Sequence, residues 1–371
     1  MFEYFDKQAK EGDYPLLSLV IPVHNAHKYI TNTVNRLFQQ DYPNLEIILV
    51  ENGSSDDTWQ ILNHLKQIHT NKNLIIVKNK EAGTSLARKK GIELAHGRYI
   101  TFSDQDDYYI HSHSLTAMVR TMQKSQSQIC QFGHYTSLLG IKKFNKKAVS
   151  SIRYSRQQLL EHEVIGIVSS NITSFSPSVW SKIYEADILK DITSRIDHPL
   201  FYGEDMYLNT LAFFNPKVQY AAVSPKGYYV WNTGIGTSGT DEASINLFKE
   251  YAYIKPRTLI LAEENNAGKD VLTAIRSEII FFFRYIILDM IENHKSKEEV
   301  ISTIQTLDEL TFVQNAKLYF RMHDQNHFHK ELEFLDSDYK PEEYYRYVSA
   351  QAKCNIKKQI RRWIKNTIIR H

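Results

Sequence analysis

The stretch YITFSDQDDYY, residues 99–109, crowds three carboxylates, Asp104, Asp106 and Asp107, into four positions directly after an apolar run. Acids that close repel one another, and a strand end that gathers them is best served by a cation. Magnesium and manganese take oxygen ligands and often need only one or two carboxylates, with substrate phosphates completing the shell. The plainer alternative is an acidic turn that caps the next helix. A second pair, Glu204-Asp205, opens the helical pattern EDMYLNTLAFF. Acids in a first helical turn are favoured by the macrodipole alone, but a carboxylate within reach of a hydroxyl can also take its proton. A third polar group, Glu51 to Asp57, has the composition of a strand-to-helix turn with Ser55 or Asp56 as its cap.

The elements that must position these groups follow a regular beat. Apolar runs at 16–23 (LLSLVIPV), 45–52 (LEIILVEN), 74–79 (LIIVKN) and 98–104 (RYITFSD) predict strands. Between them lie amphipathic helices, the first with Ile30, Val34, Leu37 and Phe38 on one face, the second with Ile61, Leu62, Leu65 and Ile68, the third from about Ser85 to near Gly97. Strands apolar throughout and separated by helices argue for a parallel sheet covered on both faces. Ligands of such sheets bind beyond the carboxyl ends of the strands, where His24, Asn25, Glu51 to Asp57 and Asp104 to Asp107 all fall. Past residue 110 the beat changes. QICQF (128–132) and Tyr228–Trp231 predict strands, 179–190 is a strand or a helix edge, and from Asp241 onward the pattern is helical. The most apolar window, IIFFFRYIILDMI (279–291), is broken by Arg284 and Asp289 and is shorter than the ~20 residues of a membrane span, so it predicts a buried helix.

Five segments in order, SLVIPVHNAHKYI (18–30), ILVENGSSDDT (48–58), AGTSLARKKGIELAHGRYITFSDQDD (82–107), WSKIYEADIL (180–189) and YGEDMYLN (202–209), resemble glycosyltransferase family 2 at that family's spacing, over roughly residues 16–240. The resemblance implies an α/β GT-A fold: a Rossmann-like, mixed but mostly parallel sheet flanked by helices, here with a C-terminal helical extension. It implies transfer of a sugar from a nucleotide-sugar donor, UDP-linked, with inversion and with Mn²⁺ or Mg²⁺ as cofactor. Asp104-Gln105-Asp106 matches the DXD motif, whose three residues would bind the nucleotide sugar, with Asp106 reaching the metal and Asp104 the ribose or metal. Pro22, Val23, His24 and Asn25 match positions that line the nucleotide. Glu51, where the family usually has Asp, would accept the uracil N3–H, and Asn52 follows where a second acid is usual. Arg88 matches the Ala-Arg-Asn-Gly segment and would face the uridine or diphosphate. Asp205 matches the base that deprotonates the acceptor, with Glu204 its positioning partner. Lys182 and Tyr184 match a segment beside the acceptor cleft, and Trp231 presents a ring that either stacks on a sugar or belongs to the core.

Composition bounds the rest. The chain has 371 residues, 42% hydrophobic and 23% charged, with a net charge of +3 that is too small to argue for nucleic acid. Cys130 and Cys354 are too far apart in sequence for a zinc motif or a disulfide framework. No G-x-G-x-x-G or Walker loop appears, which argues against dinucleotide and NTPase chemistry. The N-terminus lacks an apolar signal core. The tail KCNIKKQIRRWIKNTIIRH (353–371) carries seven Lys or Arg and no acid, and as a helix would align Ile356, Ile360, Ile364 and Ile368. That pattern fits an interfacial helix on anionic lipid, with calmodulin-like or nucleic-acid binding a less economical reading. The expected division is an N-terminal extension (1–15), a nucleotide-sugar-binding half (16–110), an acceptor-binding half (111–240), a helical extension (241–352) and the basic tail (353–371). The expected activity is a hexosyl- or N-acetylhexosaminyltransferase of bacterial surface-polysaccharide synthesis, acting on a glycan or lipid-linked glycan, cytoplasmic and peripheral on the inner face of the cell membrane. The rival from another class is a non-catalytic carbohydrate- or nucleotide-binding scaffold on the same fold.

Overall fold

The computed structural model describes residues 14–70, 72–138, 140–146, 148–169, 173–233, 244–323 and 340–354. The basic tail beyond Cys354 and most of the glycine-rich turn after Trp231 lie outside them. The chain divides into two compact units, one running to residue 239 and including 260–271, the other formed by 240–259 and the rest.

The first unit is built on one sheet, ordered β3-β2-β1-β4-β9-β6-β10-β5. Its first half is the predicted repeat: β1 (Leu17–Val23), α1 (Ile30–Phe38), β2 (Leu45–Glu51), α2 (Thr58–Ile68), β3 (Leu74–Lys78), α3 (Thr84–Leu94) and β4 (Tyr99–Phe102). All pairings among these strands are parallel. Strands β1, β2 and β4 are buried almost throughout, because helices cover both faces and no position alternates to solvent. Helix α1 turns Ile30, Thr33, Val34 and Leu37 inward. Helix α3 approaches β1 more closely than any side chain would permit, since a Cβ on Gly91 would fall 2.2 Å from Val20 Cγ1. That close contact fixes the height of Arg88, one turn earlier on the same helix.

The second half is mixed. It runs β5 (Tyr108–Tyr109), α4 (Ser114–Ser125), β6 (Ile129–Leu138), β7 (Ile141–Asn145), β8 (Ile152–Ser155), the short helical turns α5 (Arg156–Gln158) and α6 (Ile165–Val168), β9 (Lys182–Glu185), α7 (Ala186–Ile192), α8 (Glu204–Phe214) and β10 (Tyr220–Asn232). Residues 179–190, ambiguous in the sequence, resolve into strand β9 followed at once by α7. Strand β9 is antiparallel to both β4 and β6, and β10 is parallel to β6. Strands β6 and β10 therefore point the same way as β1 to β4, and their carboxyl ends share one edge. The strand expected at 228–231 is the last part of the thirteen-residue β10, whose early residues the alternation of the sequence did not disclose.

The second unit contains α10 (Lys269–Glu292, from residue 272), α11 (Lys297–Asp308), α12 (Thr311–His323) and the helix Pro341–Cys354, with α9 (Ser244–Glu264) entering it up to residue 259. Ile279, Ile280, Phe283, Ile286, Ile287 and Met290 of α10 form its core with Val300, Ile304, Val313, Phe320, Tyr344 and Val348. The apolar window at 279–291 is thus a helix buried on one face, with Phe281 and Tyr285 exposed on the other. Among the described residues no helix is long and apolar enough to cross a membrane.

Candidate active site

The predicted acids meet at the carboxyl edge of the first unit's sheet, around one guanidinium. Arg88 is buried, its side chain only 4% exposed. One of its terminal nitrogens lies 2.7 Å from Glu204 Oε1 and 2.7 Å from Asp205 Oδ1, and the other 3.4 Å from Asp104 Oδ1. Three sequence motifs, on α3, after β4 and at the start of α8, are therefore joined through one side chain. Burial alone would lower the arginine's pKa, and the charges of Asp205, Glu204 and Asp104 raise it instead. Arg88 was expected to face the nucleotide. In the structure its guanidinium lies among the acids, where α3 is drawn down onto β1 at Gly91, and among the described residues it is the one cation paired with these three.

Even so, the cluster holds more negative charge than Arg88 can balance. Burial, with Asp205 and Asp106 nearby and Arg88 opposing, pushes Asp104 up to about 7. Burial and Asp205 push Glu204 up to about 7 against the pull of Arg88. Burial also raises Asp106, whose side chain makes no hydrogen bond or ion pair with another described residue. A half-exposed carboxylate without a partner, beside a second one short of positive charge, is a donor set that fits a hard divalent cation.

Asp107 has a different task. Its carboxylate accepts from Tyr229 Oη at 2.7 Å and from the backbone N–H of Asn232 at 2.8 Å, and Asn232 Nδ2 donates to the carbonyl of Asp106. Tyr229 Oη also accepts from the backbone N–H of Asp104 at 2.9 Å. Strand β10 thus fastens the acidic loop, with Asp107 buried as its anchor. Nothing in the sequence flagged Tyr229 or Asn232, which lie more than 120 residues from the loop they hold.

Gln105, the middle residue of the DXD triplet, staples that loop to the end of β1. Its Oε1 accepts from the backbone N–H of His24 at 2.7 Å and its Nε2 donates to the His24 carbonyl at 2.8 Å. Next to it, His24 Nδ1 lies 3.1 Å from the Asn52 carbonyl. Asn25 adopts a positive φ of 47°, and its Oδ1 accepts from the backbone N–H of Ser55 at 2.9 Å. Glu51 is buried and accepts from the N–H of Ser54 at 2.5 Å through Oε1. Asn52 Oδ1 accepts from Gly83 N at 2.9 Å and from Asn79. Pro22 and Val23 precede this cluster on β1, half-buried and buried respectively. The positions expected to line a nucleotide are therefore brought together at one rim.

On the other side, Lys182 and Tyr184 have no exposed surface. Lys182 Nζ donates to the carbonyls of Ser176 and Ser178, and Tyr184 Oη donates to Asn209 Oδ1 at 2.8 Å. Both were expected beside an acceptor. In the structure they brace the segment before β9, whose Val179 N–H donates to Asp205 Oδ2 at 3.1 Å. The ammonium is satisfied by carbonyls there, which is why it is inside. Trp231 is half-buried and stacks on Trp180 at 5.9 Å between ring centroids, and Trp180 stacks on Tyr229 at 5.1 Å. His27, Asp56 and Asp57 also approach one another near this rim, with His27 Nδ1 2.7 Å from Asp56 Oδ2. Asp56 Oδ1 accepts from Thr58 N, so this carboxylate serves the start of α2.

A mixed, mostly parallel sheet of this order flanked by helices is a GT-A fold. Residues 18–183 match the model of glycosyl transferase family 2. A crystal structure of Staphylococcus aureus TarS residues 1–349 in complex with UDP-GlcNAc superposes with a TM-score of 0.62 at 19% identity, covering 94% of this chain and 92% of that one. Streptococcus pneumoniae glycosyltransferase GlyA is 24% identical over 229 residues, 58% of this chain and 30% of that protein. The Escherichia coli β-1,3-glucosyltransferase WfaP, named as acting with UDP-Glc on α-D-GlcNAc-diphosphoundecaprenol, is 38% identical over 96 residues, 26% of this chain and 37% of that protein. The chain thus spans about a third of the length of these two relatives.

Proposed function

We propose that this chain transfers a hexosyl or N-acetylhexosaminyl group from a UDP-sugar to a hydroxyl of a glycan or lipid-linked glycan, with inversion, in the synthesis of a bacterial surface polysaccharide. The observation that carries the reading is the uncompensated acid cluster at the carboxyl edge, where Arg88 is, among the described residues, the single cation paired with three carboxylates. Asp106 and Asp104 would hold a Mn²⁺ or Mg²⁺ ion, which would supply positive charge for the departing diphosphate. The nucleotide lies along Pro22, Val23, His24 and Asn25, with Glu51 accepting from the base edge and Asn52 holding the Gly83 turn beside it. Asp205 takes the proton of the attacking hydroxyl. Its Oδ2 accepts from the Val179 N–H, while Oδ1, 2.7 Å from a guanidinium nitrogen of Arg88, accepts no hydrogen bond from a described residue and keeps its lone pairs for a further partner. Glu204 shares the guanidinium and keeps that orientation. Trp231, propped on Trp180, offers a ring face to the acceptor sugar, and Lys182 and Tyr184 support the wall behind it. The tail 353–371 would hold the enzyme on the anionic inner face of the membrane.

The test is a panel of nucleotide sugars incubated with purified protein, Mn²⁺ and candidate glycans, following release of the nucleoside diphosphate. One UDP-sugar is expected to turn over. Donor binding with no release on any acceptor would favour the scaffold reading, and no binding at all would overturn both.

A further inference from the structure

We propose that the hairpin of β6 and β7, continued to Val149, is a membrane-docking element that lays the catalytic edge of the first unit on an anionic lipid surface, separately from the tail 353–371. Between Tyr108 and Leu160 the chain has eight Lys or Arg and no Asp or Glu. Within it, Lys142, Lys143 and Lys146 are exposed. Basic residues on an edge strand are explained by the need to block pairing with other chains. The side chains among them are not: Ile141 is 78% exposed, Val149 87% and Phe144 40%. Of the ten large hydrophobic side chains exposed among the described residues, these three fall within nine positions. Exposed aliphatic groups amid lysines, in a stretch of sequence without acids, match the interface of a bilayer carrying anionic headgroups. A soluble polyanion would use the lysines and leave the isoleucine and valine in water.

The topology gives the hairpin its position. Strand β6 runs parallel to β4, so Leu138 and Ile141, which pair across the turn, stand at the same edge as the acidic loop. Lys142 Nζ lies 5.5 Å from the centre of the Tyr108 ring, one residue after Asp107. Phe144 rests on Tyr135 at 4.9 Å and against Gly133 and Gly227, where any larger residue would meet its ring. The hairpin is therefore clamped to the sheet, and a surface that touches its outer side chains sits beside the catalytic acids. This geometry suits an acceptor that is itself anchored in lipid, but does not depend on the transfer reaction.

An environment-sensitive fluorophore on a single cysteine reads the contact in the full-length chain. Cys354 is replaced by Ser, and Cys130 is fully buried with its thiol pushed up by that burial, so it escapes labelling. Labels at I141C and V149C are expected to shift to the blue on vesicles containing anionic phospholipid and to be quenched by a quencher carried in the lipid. A label at I68C, at a residue 54% exposed at the far end of α2, should stay in water. The K142Q/K143Q variant should partition about 25-fold more weakly at low salt, two lysines at ~1 kcal/mol each, while its turnover of a soluble acceptor is unchanged. Hairpin labels that remain in water while the protein sediments with vesicles would overturn the proposal. So would equal shifts at all three sites, an unchanged partition of the lysine variant, or a shift produced by soluble polyphosphate and not by vesicles. Transfer assays fail or succeed independently of all four outcomes.

Discussion

Both units bury charge, and they do so in opposite ways. In the helical unit each fully buried ammonium has its own acid: Lys255 Nζ lies 3.8 Å from Glu278 Oε2, and Lys317 pairs with Asp308 while sitting 5.9 Å from the Phe283 ring centre. In the sheet unit one buried guanidinium faces three carboxylates, with Asp106 and Asp107 close behind. Matched pairs complete themselves and serve packing. An unmatched cluster persists only where something else supplies the missing charge, so the imbalance of charge, rather than burial itself, marks the candidate active site.

The sharpest way to break this contrast is at Asp205. D205N keeps the size of the side chain and most of its hydrogen bonding but cannot accept a proton, so transfer should fall ~10²–10⁴-fold with donor affinity nearly unchanged. If the acid merely complements the dipole of α8, the variant loses at most ~1 kcal/mol of stability and turns over normally. Transfer rate, donor Kd and melting temperature on that one protein separate the two. Next in size is R88M, which leaves three buried acids without their cation and should cost ~3–5 kcal/mol. Added Mn²⁺ should restore part of the lost melting temperature, whereas an Arg88 that only contacted the nucleotide would show weakened donor binding and normal stability.

Replacing a whole buried pair in the helical unit should be nearly silent. Replacing both partners, K255M/E278L, exchanges a matched pair for apolar packing and is expected to leave stability within ~1 kcal/mol, since buried pairs are often replaced at little cost. Thermal unfolding that drops as far as in R88M would erase the distinction between the units. The effects of pH on the two units have opposite signs. Native Asp104 and Glu204 titrate at about 7, and burial with Asp104 nearby puts Asp107 at about 8. The folded state thus keeps protons that the unfolded chain releases near ~4, and stability falls as pH rises from about 4 to about 8. Burial lowers Lys255 to about 8 despite Glu278. Here the unfolded chain keeps the proton that the native state loses, so stability rises from about pH 8 towards ~10. Denaturation midpoints across this range, repeated for E204Q and K255M, assign each limb. Limbs unchanged in those variants would contradict the assignment.

Much of this was legible in the sequence because periodicity reports burial. The four parallel strands and their helices appeared where apolar runs and stripes placed them, and α8 spans the same eleven residues as its pattern, because its two acids mark its start. The acid motifs were visible for the same reason: short clusters of like charge are costly and stand out. What stayed hidden depends on distance in sequence. No local signal tells that Gly91 lowers α3 onto Val20 and so hands Arg88 to the acids, or that Tyr229 and Asn232 hold the loop of Asp107. Gln105 was expected on the nucleotide-sugar side with the rest of its triplet, and only its bonds to the His24 backbone reveal it as a staple. Lys182 was expected beside the acceptor cleft, and its burial left no trace in the local sequence. Three serine-segment oxygens that satisfy it, from Ser176 and Ser178, cannot be foreseen from its neighbours alone.

Isothermal calorimetry of UDP binding, to the wild-type chain and to D106A, with and without Mn²⁺, tests the unmatched cluster most directly. The account predicts that Mn²⁺ tightens binding to the wild-type protein and that D106A loses this gain while melting at or above the wild-type temperature, because one uncompensated acid has been removed. Affinity for UDP that ignores Mn²⁺ in the wild type, or that D106A retains in full, would contradict it.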